Sequence, residues 1–145
     1  MKRLFLAIGL FAGTFFCACE KTLDVPATTP IVLSNGVQIL VEIADDDATR
    51  MRGLQGRKNL PENHGMLFVY SRGDRRAFWM KDTLIDLSIG YFDSAGTLVE
   101  IYEMKAGDEN STISRSRDIK YVLEMPAGWY ARHGISAGTV SLKLK

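Results

Sequence analysis

The sequence contains no cysteine after Cys19, and its two cysteines, Cys17 and Cys19, lie close together near the N-terminus. The rest of the chain therefore cannot form a disulfide, a thiolate metal site or a cysteine nucleophile. It also shows no internal repeat and no low-complexity tract. A domain in this part of the chain must be stabilised by its own hydrophobic core.

The chain also has no large excess of charge of either sign, since it contains 18 Lys and Arg residues and 17 Asp and Glu residues. Removal of residues 1–18 would take away Lys2 and Arg3 and leave 16 basic and 17 acidic residues, a net charge of −1. Proteins bind phosphate backbones through clustered basic side chains. Because no basic stripe is present, we expect no nucleic acid partner.

Histidine is scarce, and neither His64 nor His133 has a second ligand at the spacing of a zinc motif. Five methionines stand singly in apolar segments of the domain, as core residues do, rather than in runs that bind Cu(I). There is no nucleophile elbow and no phosphate-binding glycine loop. The sequence therefore predicts no metal site and no cofactor.

The N-terminus has the layout of a secretory signal peptide over residues 1–18. Lys2 and Arg3 precede an uncharged, mostly apolar run of 13 residues from Leu4 to Phe16. A transmembrane helix needs ~20 apolar residues, so this run is short for a permanent anchor. An uncleaved N-terminal anchor is the alternative.

The segment Phe16-Cys17-Ala18-Cys19 resembles a loose bacterial lipobox, in which an acylated Cys19 begins the mature chain. Phe16 departs from that pattern, which prefers a smaller aliphatic residue, and plain secretion is the alternative. Residues 19–30 are polar, contain Pro and Thr, and are typical of a flexible tether. We expect an exported protein of the periplasm or cell surface, anchored to the membrane through lipidated Cys19.

Residues 31–145 break into short apolar runs separated by turn residues, which predicts a β-rich domain. Asp45-Asp46-Asp47 begins a short helix that Gly53 ends, and Pro126 begins a second helix. The fold class is mainly β (α+β), a single compact barrel-like or sandwich-like antiparallel domain with two short helices. The predicted strands cover residues 37–43, 65–70, 76–81 (running back beside 65–70), 87–92, 97–104, 119–124 and 140–144, and 105–117 is a loop.

Four segments carry a recognisable pattern: Arg50-Met51-Arg52-Gly53-Leu54 with Arg57, Gly65–Phe68, Phe78–Thr83, and Val122-Leu123-Glu124 with Gly128. Their order and spacing resemble family 192 of the bacterial and archaeal domains of unknown function. That family usually has Asn, Pro and Asp where this chain has Asp82, Asp86 and Ser88. The resemblance implies a small, often exported, β-rich domain and brings no established activity, substrate or cofactor.

The segment from Ala77 to Thr83 is the best candidate for a binding surface. Trp79 can stack on a sugar or another flat ligand while Lys81, Asp82 and Thr83 fix its orientation. In the structural alternative, Trp79 fills the core and Asp82-Thr83 caps a turn.

Arg50, Arg52 and Arg57 surround Gly53, and guanidinium groups in this number suit a carboxylate or phosphate ligand. The structural alternative is a helix C-terminus whose dipole they complement, with one arginine paired to Glu124 or another acid.

The leading hypothesis is a module that binds a small molecule, a glycan or an envelope protein. Its candidate ligand-binding residues are Arg52, Arg57, Trp79, Lys81, Asp82, Thr83 and Glu124. The runner-up is a small hydrolase or lyase that uses Asp82, Glu124 or His64 as its acid–base group. A purely structural envelope protein is the third hypothesis, and no residue is assigned a catalytic role.

If Cys19 is acylated, cells fed labelled palmitate should incorporate the label into this protein, because the thiol of that residue carries the lipid. The Cys19→Ala substitution should abolish the label. A wild-type chain without label, together with no loss on substitution, would contradict the predicted anchor.

Overall fold

A computed structural model of the chain describes residues 27–143. The predicted signal peptide, Cys19 and most of the predicted tether lie outside these residues. The strands are β1 (Thr29–Val32), β2 (Gln38–Ala44), β3 (His64–Asp74), β4 (Ala77–Phe78), β5 (Leu87–Asp93), β6 (Leu98–Met104), β7 (Thr112–Ile113) and β8 (Ile119–Pro126), and the helices are α1 (Asp47–Arg52) and α2 (Trp129–Arg132).

Six of the strands form one sheet in the order β1-β2-β3-β8-β5-β6, while β4 and β7 form a separate two-stranded sheet. The prediction of a mainly β domain with two short helices is confirmed. Every neighbouring pair is antiparallel except β2 and β3, which run parallel. The sheet is therefore mixed, because α1 and the loop after it carry the chain back from the end of β2 to the start of β3.

The main sheet is open rather than a closed barrel, with β1 and β6 at its two edges. The segment 140–142, predicted as a strand, forms only isolated bridges, from Leu142 to Leu33 beyond β1 and from Ser141 to Thr97 before β6. The backbone N–H of Leu98 also donates to the carbonyl of Val140 at 3.0 Å. The C-terminal segment thus bridges the two edges at one end of the sheet without a continuous β1–β6 ladder.

Each face of the sheet buries its own hydrophobic core, because successive side chains of a strand point to opposite faces. One core contains Trp129 and Tyr130 of α2. The other contains Leu54 and Met80 from the loops that cover the opposite face. In β8, Leu123 and Met125 belong to the first core and Val122 to the second, so Glu124 points to the second face.

The structure confirms the predicted start and end of α1 and the predicted β5–β6 turn, which depend on residues close together in the chain. Asp46 caps α1, since its Oδ1 accepts the backbone N–H of Thr49 at 2.9 Å, and Gly53 ends the helix at φ 49°. The β5–β6 hairpin turns at Asp93, whose N–H donates to the carbonyl of Thr97 at 2.9 Å.

Three expectations differ from the structure. The segment 76–81 does not run beside β3; its residues 77–78 form β4, which pairs with β7 inside the stretch predicted as a loop. Pro126 ends β8 rather than beginning α2, which follows Gly128 at φ 73°. The first strand begins at Thr29, inside the predicted tether.

Gly90 lies in β5 where a side chain would have no room, since an added Cβ would sit 2.7 Å from Cζ of Tyr130 and 3.0 Å from Cδ1 of Leu98. We expect Gly90→Ala to lower the free energy of unfolding by about 1–3 kcal/mol, the usual cost of overpacking a core. Urea unfolding measures it, with exposed Ser111→Ala as the control. Equal stability of the two variants would contradict this packing.

Candidate functional site

Glu124 lies in the middle of the main sheet, on β8 between β3 and β5. Its cross-strand neighbours are Met66 and Ile89, and only 4% of its surface is exposed. Among residues 27–143, no side chain or backbone N–H donates a hydrogen bond to its carboxylate, and no cation forms an ion pair with it. Burial alone raises the pKa of Glu124 to about 8.

The Glu124 oxygens reach a narrow cleft. In the described part of the chain, every fully enclosed side-chain oxygen or nitrogen has a hydrogen-bond partner. The Glu124 carboxylate has none, so its oxygens are not fully enclosed and meet this cleft. The cleft, here the inner cleft, has a volume of about 40 Å³. At roughly 10–15 Å³ for each water, it holds about three waters. Its lining residues are Arg50, Met51, Arg52, Gly53, Leu54, Gln55, Phe68, Phe78, Trp79, Thr83 and Glu124.

Helix α1 and the turn after it form one wall of the inner cleft. Gly53 ends the helix with φ 49°, and a Cβ at this position would lie 3.5 Å from Cζ of Phe68 on β3. The glycine therefore lets the chain turn close above the sheet. Buried Leu54 holds the turn to the core, while Met51, 79% exposed, faces outward at the mouth.

The segment 77–83 forms the opposite wall. Met80 is buried, and its backbone N–H donates to the carbonyl of Asp108 at 2.8 Å. Asp82 has a positive φ of 56°, and its carbonyl accepts the N–H of Gly56 at 2.9 Å. This hydrogen bond joins the two walls. Trp79 is 50% exposed between them.

A wider depression, here the outer groove, continues the inner cleft towards solvent. Its volume is about 490 Å³, and the two spaces share Met51, Arg52, Gln55 and Trp79. The Lys81 ammonium lies 5.5 Å from the centre of the Trp79 ring. The residues that line the outer groove are Ala48, Met51, Arg52, Gln55, Trp79, Lys81 and Asp82.

The structure brings most of the candidate residues together along this connected space. Thr83 and Glu124 line the inner cleft, Lys81 and Asp82 line the outer groove, and Arg52 and Trp79 line both. The alternative in which Trp79 fills the core is wrong, because half of its side chain is exposed.

Arg57 lies apart from this space. Its guanidinium forms an ion pair with Glu42 at 2.5 Å, so the acid that pairs with Arg57 is Glu42 and not Glu124. Arg50 donates to the carbonyl of Val69 at 2.8 Å and pairs with Asp47 at 2.6 Å. Of the three arginines, only Arg52 lines the outer groove.

Sequence reasoning missed the apolar members of the site. Phe68 and Phe78 line the inner cleft and stack edge to face, with ring centres 4.8 Å apart. Met51 and Gln55 were also overlooked as groove residues. The prediction of a core position is wrong for Met51, which is 79% exposed.

Two of the positions at which the sequence was expected to depart from the family it resembles lie on opposite sides of the sheet. Asp82 is in the outer groove, whereas Ser88 of β5 pairs with Met125 and points to the opposite face. The Ser88 hydroxyl donates to Glu103 at 2.6 Å and accepts the N–H of Gly128 at 2.7 Å. Ser88 therefore holds the start of α2 and has no contact with the cleft.

Within residues 27–143, no three His, Cys, Asp or Glu side chains lie close enough together to hold a metal ion. None of the helices in that range is long and apolar enough to cross a membrane.

The profile of the DUF192 family, described as an uncharacterized ACR, matches residues 31–141. The chain therefore belongs to the DUF192 family. No curated protein matches the sequence.

The solved structures with a similar fold include the following two. One is a protein of Sinorhizobium meliloti 1021 that is provisionally described as a transcription regulator. It is 32% identical in sequence, the TM-score is 0.72, and the match covers 79% of this chain and 89% of that chain. The other is a protein of unknown function from Novosphingobium aromaticivorans DSM 12444, with 25% identity, a TM-score of 0.76 and coverage of 85% and 89%. Neither provides an activity for the cleft.

Burial of Glu124 makes stability depend on pH. Its pKa is about 8 in the folded chain against 4.5 for an ordinary glutamate, so the folded state holds the proton more tightly. The resulting stabilisation is complete below about pH 4.5 and is lost as the pH rises through about 8. We expect a loss of at most about 5 kcal/mol between about pH 5 and 9 in urea unfolding.

Glu124→Gln keeps the shape of the neutral acid and should remove most of this loss. The matched control is Glu109→Gln, at an exposed position, which should keep the wild-type pH dependence. An equal loss of stability in wild type and Glu124→Gln would show that Glu124 does not titrate in this range.

Proposed function

We propose that this protein is a binding module for a small molecule that lies in the outer groove and places one terminal group in the inner cleft. The observation that carries the proposal is the Glu124 carboxylate, which is buried, has no partner among the described residues and meets a cleft reached by solvent. A buried polar group without a partner destabilises the fold. A ligand that provides the partner explains its presence.

The dimensions of the two spaces support this arrangement. The inner cleft, at about 40 Å³, accepts a small end group but not a sugar ring. The outer groove, at about 490 Å³, falls within the ~300–1,000 Å³ typical of small-molecule sites. Trp79 stands where the two spaces meet and offers a half-exposed ring face to the body of the ligand.

We also propose that the module works in the cell envelope, exported by the signal peptide and anchored through Cys19 and the tether. The basic n-region, the short apolar run and the lipobox-like segment support this location. In the palmitate experiment, Cys17→Ala is the matched control, because it removes the neighbouring thiol and should leave the label in place.

An acid–base enzyme is the second candidate, and one observation favours it. Burial brings the pKa of Glu124 to about 8, near the value of an effective general base at neutral pH. No second acid–base side chain lines the inner cleft, however, and His64 lies elsewhere, beside Glu42 and Arg57. A binding role needs only the groups that are present, so we place it first.

The description of the Sinorhizobium protein raises nucleic acid as a partner. The net charge of this chain is +1, or −1 without residues 1–18. Such a balance gives little attraction to a phosphate backbone. We therefore propose a small molecule rather than a nucleic acid as the partner.

A thermal-shift screen of neutral sugars, nucleotides, amines, amino acids and divalent metals tests the proposal. At least one class should raise Tm, because a ligand that binds only the folded chain stabilises it. Trp79→Ala should abolish that shift with little change in Tm of the free protein, since the ring is half exposed. Leu84→Ala removes another exposed apolar side chain outside both spaces and should keep the shift. A flat response to every class would contradict the small-molecule proposal and leave a protein partner.

A further inference from the structure

Two glutamates occupy the same cross-strand row of the main sheet, and only one of them is paired. Glu42 of β2 lies opposite Met66 of β3, which in turn lies opposite Glu124 of β8. With strands ~4.8 Å apart, the two glutamate backbones are about 10 Å from each other. Glu42 has Arg57 at 2.5 Å, whereas Glu124 has no cation among the described residues.

The cations nearest the inner cleft do not neutralise Glu124. The Arg50 guanidinium is held by Val69 and Asp47, and the Arg57 guanidinium by Glu42. Arg52 lines both spaces and Lys81 lines the outer groove, and neither forms an ion pair with any described residue. The inner end of the site therefore has an uncompensated carboxyl group, and the outer end has two cationic side chains.

We propose that the ligand is a zwitterion of the ω-amino-acid type, whose primary ammonium enters the inner cleft against Glu124 and whose anionic group lies against Arg52 and Lys81. This inference rests on the proposed function and names the ligand class of the same site.

The inner cleft suits an ammonium group in size and in chemistry. A –CH2–NH3⁺ end is no larger than a few waters, which is what about 40 Å³ accepts. The ammonium donates hydrogen bonds to the carboxylate, and the rings of Phe68 and Phe78 give the cleft part of its apolar lining. A ligand cation thus supplies the charge that Arg57 supplies to Glu42.

The outer groove suits an anion. The Arg52 guanidinium can bind both oxygens of a carboxylate, and the Lys81 ammonium provides a second positive charge beside Trp79. Asp82 on the same rim disfavours a ligand with two or more negative charges. One negative charge at the outer end is therefore the best match.

Binding of an ammonium has a characteristic pH dependence. The titratable and charged side chains around Glu124 are Arg50 and Arg52 of α1, Lys81 and Asp82 of the opposite wall, Tyr70 of β3, Tyr91 of β5 and Tyr130 of α2. Burial raises the pKa of all three tyrosines above 10, so they stay neutral. Because Glu124 must ionise to bind an ammonium, the affinity should rise with pH up to about 8 and then level off.

Calorimetry on the full chain with 6-aminohexanoate as the probe tests the inference. The comparison probes are hexylamine, which has the ammonium alone, hexanoate, which has the carboxylate alone, and neutral glucose. We expect 6-aminohexanoate to bind roughly tenfold or more tightly than either single-ended probe, since each end contributes an ion pair. Its affinity should increase at least about tenfold from about pH 6 to about pH 8.

Two substitutions separate the two ends of the site. Glu124→Gln should weaken 6-aminohexanoate and hexylamine alike and remove the pH dependence. Lys81→Ala, at a position that lines the outer groove and not the inner cleft, should weaken 6-aminohexanoate more than hexylamine. The exposed controls, Glu109→Gln and Arg117→Ala, should leave both affinities at the wild-type value.

Two outcomes overturn the inference. Binding that is tighter at about pH 6 than at about pH 8 would mean that Glu124 acts as a neutral acid that donates to a ligand oxygen. Trp79-dependent binding of glucose with no binding of either amine would exclude an ammonium ligand while the proposed binding function stands. Failure of every probe here and of the wider screen would instead reject the proposed function itself.

Discussion

The placement of β8 between β3 and β5 is the constraint on which the rest of the structure depends. Its side chains alternate between two cores, so Leu123 and Met125 on one face fix which side chains point to the other. If the register of β8 slipped by one residue, each of its side chains would point to the wrong face of the sheet. Glu124 is therefore held at the base of the inner cleft by the apolar residues on either side of it.

The walls of the cleft depend on the same burial. Helix α1 has six residues, too few to be stable alone, and the segment 77–83 has only a two-residue strand. Leu54 and Met80 hold these segments to the second core, and the hydrogen bond from Gly56 to Asp82 joins them. The site is thus a product of core packing.

The sequence predicts those features of the fold that depend on residues close together in the chain. The Asp46 cap, the Gly53 stop and the turn at Asp93 follow from side-chain and backbone preferences within a few positions. The parallel β2–β3 pair and the β4–β7 pair join distant segments, which no local pattern encodes. For the same reason the sequence identifies the candidate residues one by one but not which of them lie together. The partner of Arg57, for example, is Glu42 on β2.

In the proposed binding module, Glu124 couples folding to ligand binding. Ionisation of this carboxyl disfavours the folded state, and no described side chain offsets that charge. A ligand that brings a cation to the inner cleft removes this penalty. The increase in stability on binding therefore includes the free energy that the unpaired charge had cost the fold. Arg57 provides the same compensation permanently to Glu42 on β2, the strand next to the edge strand β1. Glu124 differs in that no described side chain compensates its charge, and in the proposed binding module a ligand in the groove provides that compensation.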